Sequence, residues 1–158
     1  MICILSALEY LRKQGIMHRD LKPENMILKN KDKLETNDIK IVDFGLASFC
    51  NINEYLFKRC GTPGYVAPEI INASSKDNTK YTPAVDIFSA GVIFYILVVG
   101  RSPFNGKSFQ EILNQNKNCQ IDFNHEKLKK YPQIQDLLKR MLEVNPDKRI
   151  NAGEALQH

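Results

Sequence analysis

The chain has 158 residues, 43% of them apolar and 25% charged, enough for one domain with a hydrophobic core. Its net charge of +4 is mild and spread along the sequence, so nucleic acid is not expected as a partner. Cys3, Cys50, Cys60 and Cys119 form no C-x-x-C pair and no metal-ligand spacing, and no secretory signal is visible. Reduced thiols in a cytoplasmic or nuclear protein are the expectation.

In chain order, Ile4, Leu5, Leu8 and Leu11 recur at helical spacing, with Ile2 extending the stripe; they predict a helix over 2–13 that stops at Gly15. Met26-Ile27-Leu28 and Ile39-Lys40-Ile41-Val42 are short β-rich runs, and the polar stretch Lys29 to Asp38 between them reads as a hairpin. Residues 46–66 have no sustained period and predict a long loop, uncommon in a compact domain unless it is functional. A short helix is expected around Glu69 to Asn72, then a polar loop from Ala73 to Lys80.

A longer helix should begin near Pro83, with Thr82 as its cap. Its stretch from Ile87 to Val99 is 13 residues of mostly apolar character. That reaches only ~20 Å, too short to span a bilayer, so it predicts a buried core helix and no membrane segment. Gly100 to Gly106 reads as a connector. Ser108 to Lys117 predicts an amphipathic helix carrying Phe109, Ile112 and Leu113, and Pro132 to Leu142 another, striped by Ile134, Leu137, Leu138 and Met141. Lys127 to Lys130, broken by Leu128, reads as a solvated helix face. Asn145-Pro146-Asp147 is a turn, Ala152 to His158 opens a last helix, and the Asn-rich patch from Asn114 to Asn118 is too short for low complexity.

Three motifs carry chemistry. His18-Arg19-Asp20-Leu21-Lys22-Pro23-Glu24-Asn25 is followed, 18 residues after Asn25, by Asp43-Phe44-Gly45, and then by Gly61-Thr62-Pro63-Gly64-Tyr65-Val66-Ala67-Pro68-Glu69. Phosphoryl transfer needs one carboxylate to position a hydroxyl, and a carboxylate with an amide to hold Mg²⁺ on a nucleotide. Asp20, Asp43 and Asn25 stand in the order of the protein-kinase signature. The chain therefore resembles the C-terminal lobe of a eukaryotic-type serine/threonine protein kinase catalytic domain over essentially all of residues 1–158. Gly91-Val92-Ile93-Phe94-Tyr95-Ile96-Leu97 and Ser102-Pro103-Phe104-Asn105-Gly106 resemble the calcium/calmodulin-regulated group, above all the calcium-dependent protein kinases.

The resemblance implies a mainly α (α+β) fold with a short β-hairpin bearing the catalytic and Mg²⁺-binding loops. It implies that Asp20 orients the substrate hydroxyl, that Lys22 neutralises the transferred phosphoryl group, and that Asn25 and Asp43 are the Mg²⁺ ligands for ATP. Ile27 matches the floor of the adenine pocket. Thr62 would bridge Asp20 and Lys22 in the loop that docks the substrate residue next to the acceptor, and Glu24 would favour a basic substrate side chain. Asp86 would accept N–H bonds from His18-Arg19, Glu69 and Arg149 would form a buried ion pair, and His18 would stack on Phe44. Phe88 stands where the family usually carries Trp, a conservative packing change.

Arg19 beside Asp20 normally signals control by a phosphate in the activation loop. The customary phosphothreonine position is Lys58 here, and between Leu46 and Cys60 only Ser48 and Tyr55 carry hydroxyls. Activation without that phosphate is expected. Glu54 is read as a surface residue in preference to a partner for Arg19.

Elements of a complete kinase are missing from these residues: no G-x-G occurs among the eight glycines, and nothing resembles V-A-I-K. The sequence reads as a lobe cut at both ends, lacking its N-terminal lobe. Two functions stay open. One is phosphoryl transfer to Ser/Thr of protein substrates as part of a longer kinase, the isolated piece being inactive or nearly so. The other is a non-catalytic half-kinase acting as a binding or decoy module. An isolated lobe would expose Ile27, Phe44 and Leu46. A calcium-sensing segment, if the kinase has one, lies outside these residues, which hold no D-x-[DN]-x-[DN]-G loop.

Overall fold

The computed structural model describes residues 1–29, 39–50, 52, 54–74 and 80–158. The first helix, α1 (Ile2–Lys13), buries Ile4, Leu5, Leu8 and Leu11, the stripe its spacing predicts. It ends ahead of Gly15, whose left-handed φ of 67° suits a residue without Cβ and lets the chain reverse.

Two small antiparallel ribbons follow. Strand β1 (Ile16–Met17) pairs with β4 (Ser48–Phe49), placing Ile16 opposite Phe49 and Met17 opposite Ser48. The Gly15 carbonyl accepts the Cys50 N–H at 2.8 Å and continues that pairing. Within 46–66, expected as loop throughout, β4 is thus a short strand; two residues are too few to show a period in sequence. Strand β2 (Met26–Leu28) pairs with β3 (Ile39–Ile41) in the register Met26–Ile41, Ile27–Lys40, Leu28–Ile39. The predicted hairpin strands are therefore present, and the turn between them (30–38) lies outside the described residues. The same holds for most of the polar loop after Ala73, at 75–79.

Helix α2 (Pro68–Asn72) is short, and α3 (Ala84–Val99) is the axis of the molecule. Val85, Phe88, Val92, Tyr95 and Val99 on one side of α3 join a core with Met17, Val66, Phe104, Leu128, Leu138 and Leu142. Ile87, Ala90 and Ile93 on another side join α1, Leu21, Met141 and Ile150. A helix apolar on most faces has to be buried on most of them, and α3 divides the two cores between its faces, leaving Leu97 exposed. Among the described residues no helix is long and apolar enough to cross a membrane.

The start of α3 departs from expectation. The Thr82 hydroxyl does not cap it; the main-chain bonds Val85 N–H to Thr82 carbonyl and Asp86 N–H to Pro83 carbonyl close the first turn at 3.1 Å each. Helix α4 (Phe109–Lys117) is capped by Ser108, but Phe109 points away from the core and is 66% exposed. The fully buried side chain of α4 is instead Asn116, whose hydrogen bonds orient the helix.

After α4 come α5 (Glu126–Lys129), α6 (Pro132–Met141) and α7 (Ala152–Gln157). Leu138 and Met141 of the predicted α6 stripe are buried, and Asn151 with Glu154 forms a capping box on α7. Lys127 is more than part of a solvated face: its Nζ donates to the Val99 carbonyl at 2.9 Å and satisfies an end of α3.

Candidate active site

The site is built from the segment that leaves β1. Asp86, buried in the first turn of α3, accepts the His18 N–H on Oδ2 at 2.7 Å and the Arg19 N–H on Oδ1 at 2.8 Å. Burial pushes its carboxyl up from the ordinary range, and the two N–H donors pull against that shift. These bonds hold Arg19 in the left-handed region at φ 66°, an uncommon conformation for a non-glycine residue. The turn leaves the Asp20 side chain 12% exposed. On the other side the His18 ring meets Phe44 edge-on with centroids 4.9 Å apart, and its Nε2 lies 3.0 Å from the Val42 carbonyl.

Asp20, Lys22, Asn25 and Thr62 form one hydrogen-bonded cluster. Thr62 Oγ1 donates to Asp20 Oδ1 at 2.7 Å and accepts from Lys22 Nζ at 2.9 Å, and Lys22 Nζ also lies 2.9 Å from Asp20 Oδ2. The hydrogen bond to Asp20 raises the Lys22 pKa, against the opposing effect of burial, with further help from the charges of Glu24 and Asp43. Lys22 is therefore a fixed cation at neutral pH. The Asn25 Nδ2 donates to the Asp20 carbonyl at 2.8 Å and lies 3.3 Å from Asp20 Oδ2, so the side-chain oxygen of Asn25 is its remaining ligating atom.

Asp43 directly follows the strand pairing, where the Val42 N–H donates to the Asn25 carbonyl at 3.0 Å. It too has a positive φ, 62°, and one of its carboxylate oxygens accepts the Gly45 N–H at 3.2 Å. Among the described residues no group of three or more His, Cys, Asp or Glu could hold a metal. Asn25 and Asp43 supply two hard oxygen donors, which suits an ion that keeps several waters and takes other ligands from phosphate. Glu24 and Ile27 are both exposed, Glu24 on the turn Pro23–Asn25 and Ile27 on β2.

The loop carrying Thr62 is pinned at several points. Gly61 has φ 108°, and a Cβ there would come within 2.9 Å of the Arg19 carbonyl, so only glycine lets these two segments touch. The Ser89 hydroxyl donates to the Tyr65 carbonyl at 2.9 Å. Asn116 binds the loop at both Gly64 and Val66. Ser89 and Asn116 were not singled out in the sequence; for Asn116 the available signal was its place four residues after Ile112 on the inward side of α4.

Arg19 does not engage Glu54. Its Nε donates to the Leu46 carbonyl at 2.7 Å and its Nη1 to the Phe57 carbonyl at 2.9 Å, and the guanidinium lies 5.1 Å from the Tyr55 ring centroid. Farther away, Arg149 and Glu69 make the expected pair, bidentate at 2.7 and 2.9 Å, with the Arg149 side chain fully buried.

Residues 1–158 match the family described as "Protein kinase domain". The chain belongs to the protein kinase family. It is 43% identical over 156 residues to a probable serine/threonine-protein kinase 2 of Plasmodium falciparum. It is 42% identical over 157 residues to calcium-dependent protein kinase 3 of Plasmodium yoelii yoelii, and 38% over 159 residues to calcium-dependent protein kinase 25 of Arabidopsis thaliana. In each comparison 98% of this chain is covered but only 28–29% of the relative, so the kinase-family chain spans under a third of those relatives' length. Its similarities thus run to proteins named as serine/threonine and calcium-dependent protein kinases.

Proposed function

We propose that these residues are the C-terminal lobe of a serine/threonine protein kinase, and that the polypeptide carrying them transfers the γ-phosphoryl group of ATP to a Ser or Thr hydroxyl of a protein. The closed triangle of Asp20, Thr62 and Lys22 is the observation that carries this reading. It fixes a carboxylate where a hydroxyl could be oriented and places a permanent cation beside it, the pairing that phosphoryl transfer uses.

Asp20 is the group that orients the acceptor hydroxyl and receives its proton. Lys22 balances the negative charge that gathers beside it. Asn25 and Asp43 would hold Mg²⁺, which when bound would draw charge from the phosphate oxygens. Thr62 ties the substrate-docking loop to Asp20, Ile27 faces the adenine, and Glu24 offers a carboxylate to a basic substrate side chain. The neutral acceptors around Arg19 support activation without an activation-loop phosphate, since its guanidinium already has two carbonyls and an aromatic face. The relatives named as calcium-dependent kinases make a calcium-sensing segment elsewhere in the polypeptide the expected regulator.

The test is phosphorylation of a Ser/Thr peptide by the full polypeptide in Mg²⁺-ATP. Asp20→Asn should lower kcat by about 10²–10⁴, and Asp43→Ala should abolish transfer with the protein still folded. Absence of ATP-dependent transfer by the unsubstituted polypeptide, with or without calcium, would leave the binding or decoy module as the function.

A further inference from the structure

Asn116, outside the proposed catalytic cluster, is a polar side chain with no exposed surface. Its Oδ1 accepts the Gly64 N–H at 2.9 Å and its Nδ2 donates to the Val66 carbonyl at 2.9 Å. A buried amide so used is matched at both ends, and it makes these two bonds to a segment 50 and 52 residues away in sequence. A Leu of similar size would serve α4 equally well as core packing. The bonds therefore act on the loop.

That loop is held from two sides. At Thr62 it is tied to Asp20 and Lys22, and at Gly64 and Val66 it is tied to α4. Between the anchors lies Pro63, which with Arg59, Val66, Ile70, Ile71 and Leu113 lines a hollow of about 210 Å³. Arg59 is turned to the Ala73 carbonyl, which its Nε reaches at 2.6 Å. The depth of the hollow depends on where α4 holds the loop, because Val66 and Pro63 belong to the loop and Leu113 to α4.

We infer that Asn116 is a positioning residue for substrate docking: it fixes the Gly64–Val66 segment so that the hollow takes the apolar residue beside the phosphoacceptor and sets the acceptor hydroxyl against Asp20. The inference rests on the kinase reading above. Asn116 touches neither substrate nor nucleotide and acts through the loop.

The test uses the full polypeptide and varies peptide and ATP separately. In Asn116→Leu the KM for peptide should rise roughly tenfold, as expected for loss of positioning, while the KM for ATP stays within about twofold. Preference for an apolar over a charged residue beside the acceptor should shrink in parallel. A general loss of fold would lower kcat in proportion to the folded fraction and leave both KM values alone. Equal peptide KM in variant and unsubstituted protein overturns the inference.

Amide hydrogen exchange of the unsubstituted protein gives a second readout, independent of whether the variant folds. Gly64 should be strongly protected without peptide, and rapid exchange there also overturns the inference. If the unsubstituted protein transfers no phosphate, the kinase reading fails while the exchange result still reports on the clamp.

Discussion

The residues of the proposed catalytic cluster around Asp20 are held in place by groups outside that cluster. Arg19 and Asp43 both sit at positive φ, a conformation that costs on the order of 1–2 kcal/mol for a residue with a Cβ. Asp86 and the Val42–Asn25 strand bond are what keep the segment in that shape. A third non-glycine residue at positive φ is Cys119, at 50°, beyond the end of α4. Its Sγ lies 3.6 Å from the Leu142 carbonyl, and burial pushes its thiol up to about 11. The unfolded chain gives up that proton near its ordinary value of roughly 8.5. The stability contributed by the protonated thiol is thus whole below pH ~8.5 and is lost as pH climbs through the folded value. Urea midpoints of the unsubstituted chain and Cys119→Ala, measured from pH 7 to pH 11, should differ by an amount that declines across the alkaline half of the range. A constant difference would show that the thiol ionises alike in both states.

At the level of elements, α3 is the member on which the rest is assembled: its first turn orients the His18-Arg19 segment, its Ser89 holds Tyr65, and its two faces carry the two cores. Arg149 bolts this arrangement to α2 and to the turn ahead of α7. Besides Glu69 it donates to the carbonyls of Ala84, Glu143 and Val144, at 2.8, 2.7 and 3.2 Å. Arg149→Ala should therefore cost about 3–5 kcal/mol, because it strands the Glu69 carboxylate and frees three carbonyls at once. In a double-mutant cycle with Glu69→Ala, chemical denaturation should show clear coupling; additive effects would mean that the pair is not worth more than its parts.

Much of this scaffold is legible in the sequence because it is periodic or local. The Ile4-Leu5-Leu8-Leu11 stripe, the α6 stripe and the apolar run of α3 announce themselves, and the octet around Asp20 with Asp43-Phe44-Gly45 points to the proposed site. What escaped depends on partners far along the chain. The β1–β4 ribbon is two residues long on each side, and the duties of Asn116 and Ser89 appear only when Gly64, Val66 and Tyr65 are brought to them. Thr82 is a reasonable cap by type, yet main-chain carbonyls close that turn instead.

For the molecule as a whole, the two buried cores contrast with the apolar surface near the proposed catalytic cluster. Ile27, Leu28 and Phe44 are 51%, 55% and 46% exposed, whereas Leu46, expected to share that exposure, is half-buried and gives its carbonyl to Arg19. Two of the three exposed side chains sit on β2, which among the described residues pairs with β3 alone. Apolar side chains gathered on such a ribbon favour association, and a net charge of +4 opposes it weakly. The 158-residue chain by itself should sediment as a concentration-dependent mixture of monomer and larger species. Ile27→Lys combined with Leu28→Glu should return it to monomer with little change in thermal midpoint, because neither side chain is part of the core. Placed in the full polypeptide, Ile27→Lys alone should raise the KM for ATP and leave the peptide KM unchanged, as the proposed place of Ile27 beside the adenine requires. Monomer at all concentrations in the unsubstituted chain would mean that this surface needs no cover. An unchanged KM for ATP would remove Ile27 from the nucleotide site while leaving the roles of Asp20, Lys22, Asn25 and Asp43 to their own tests.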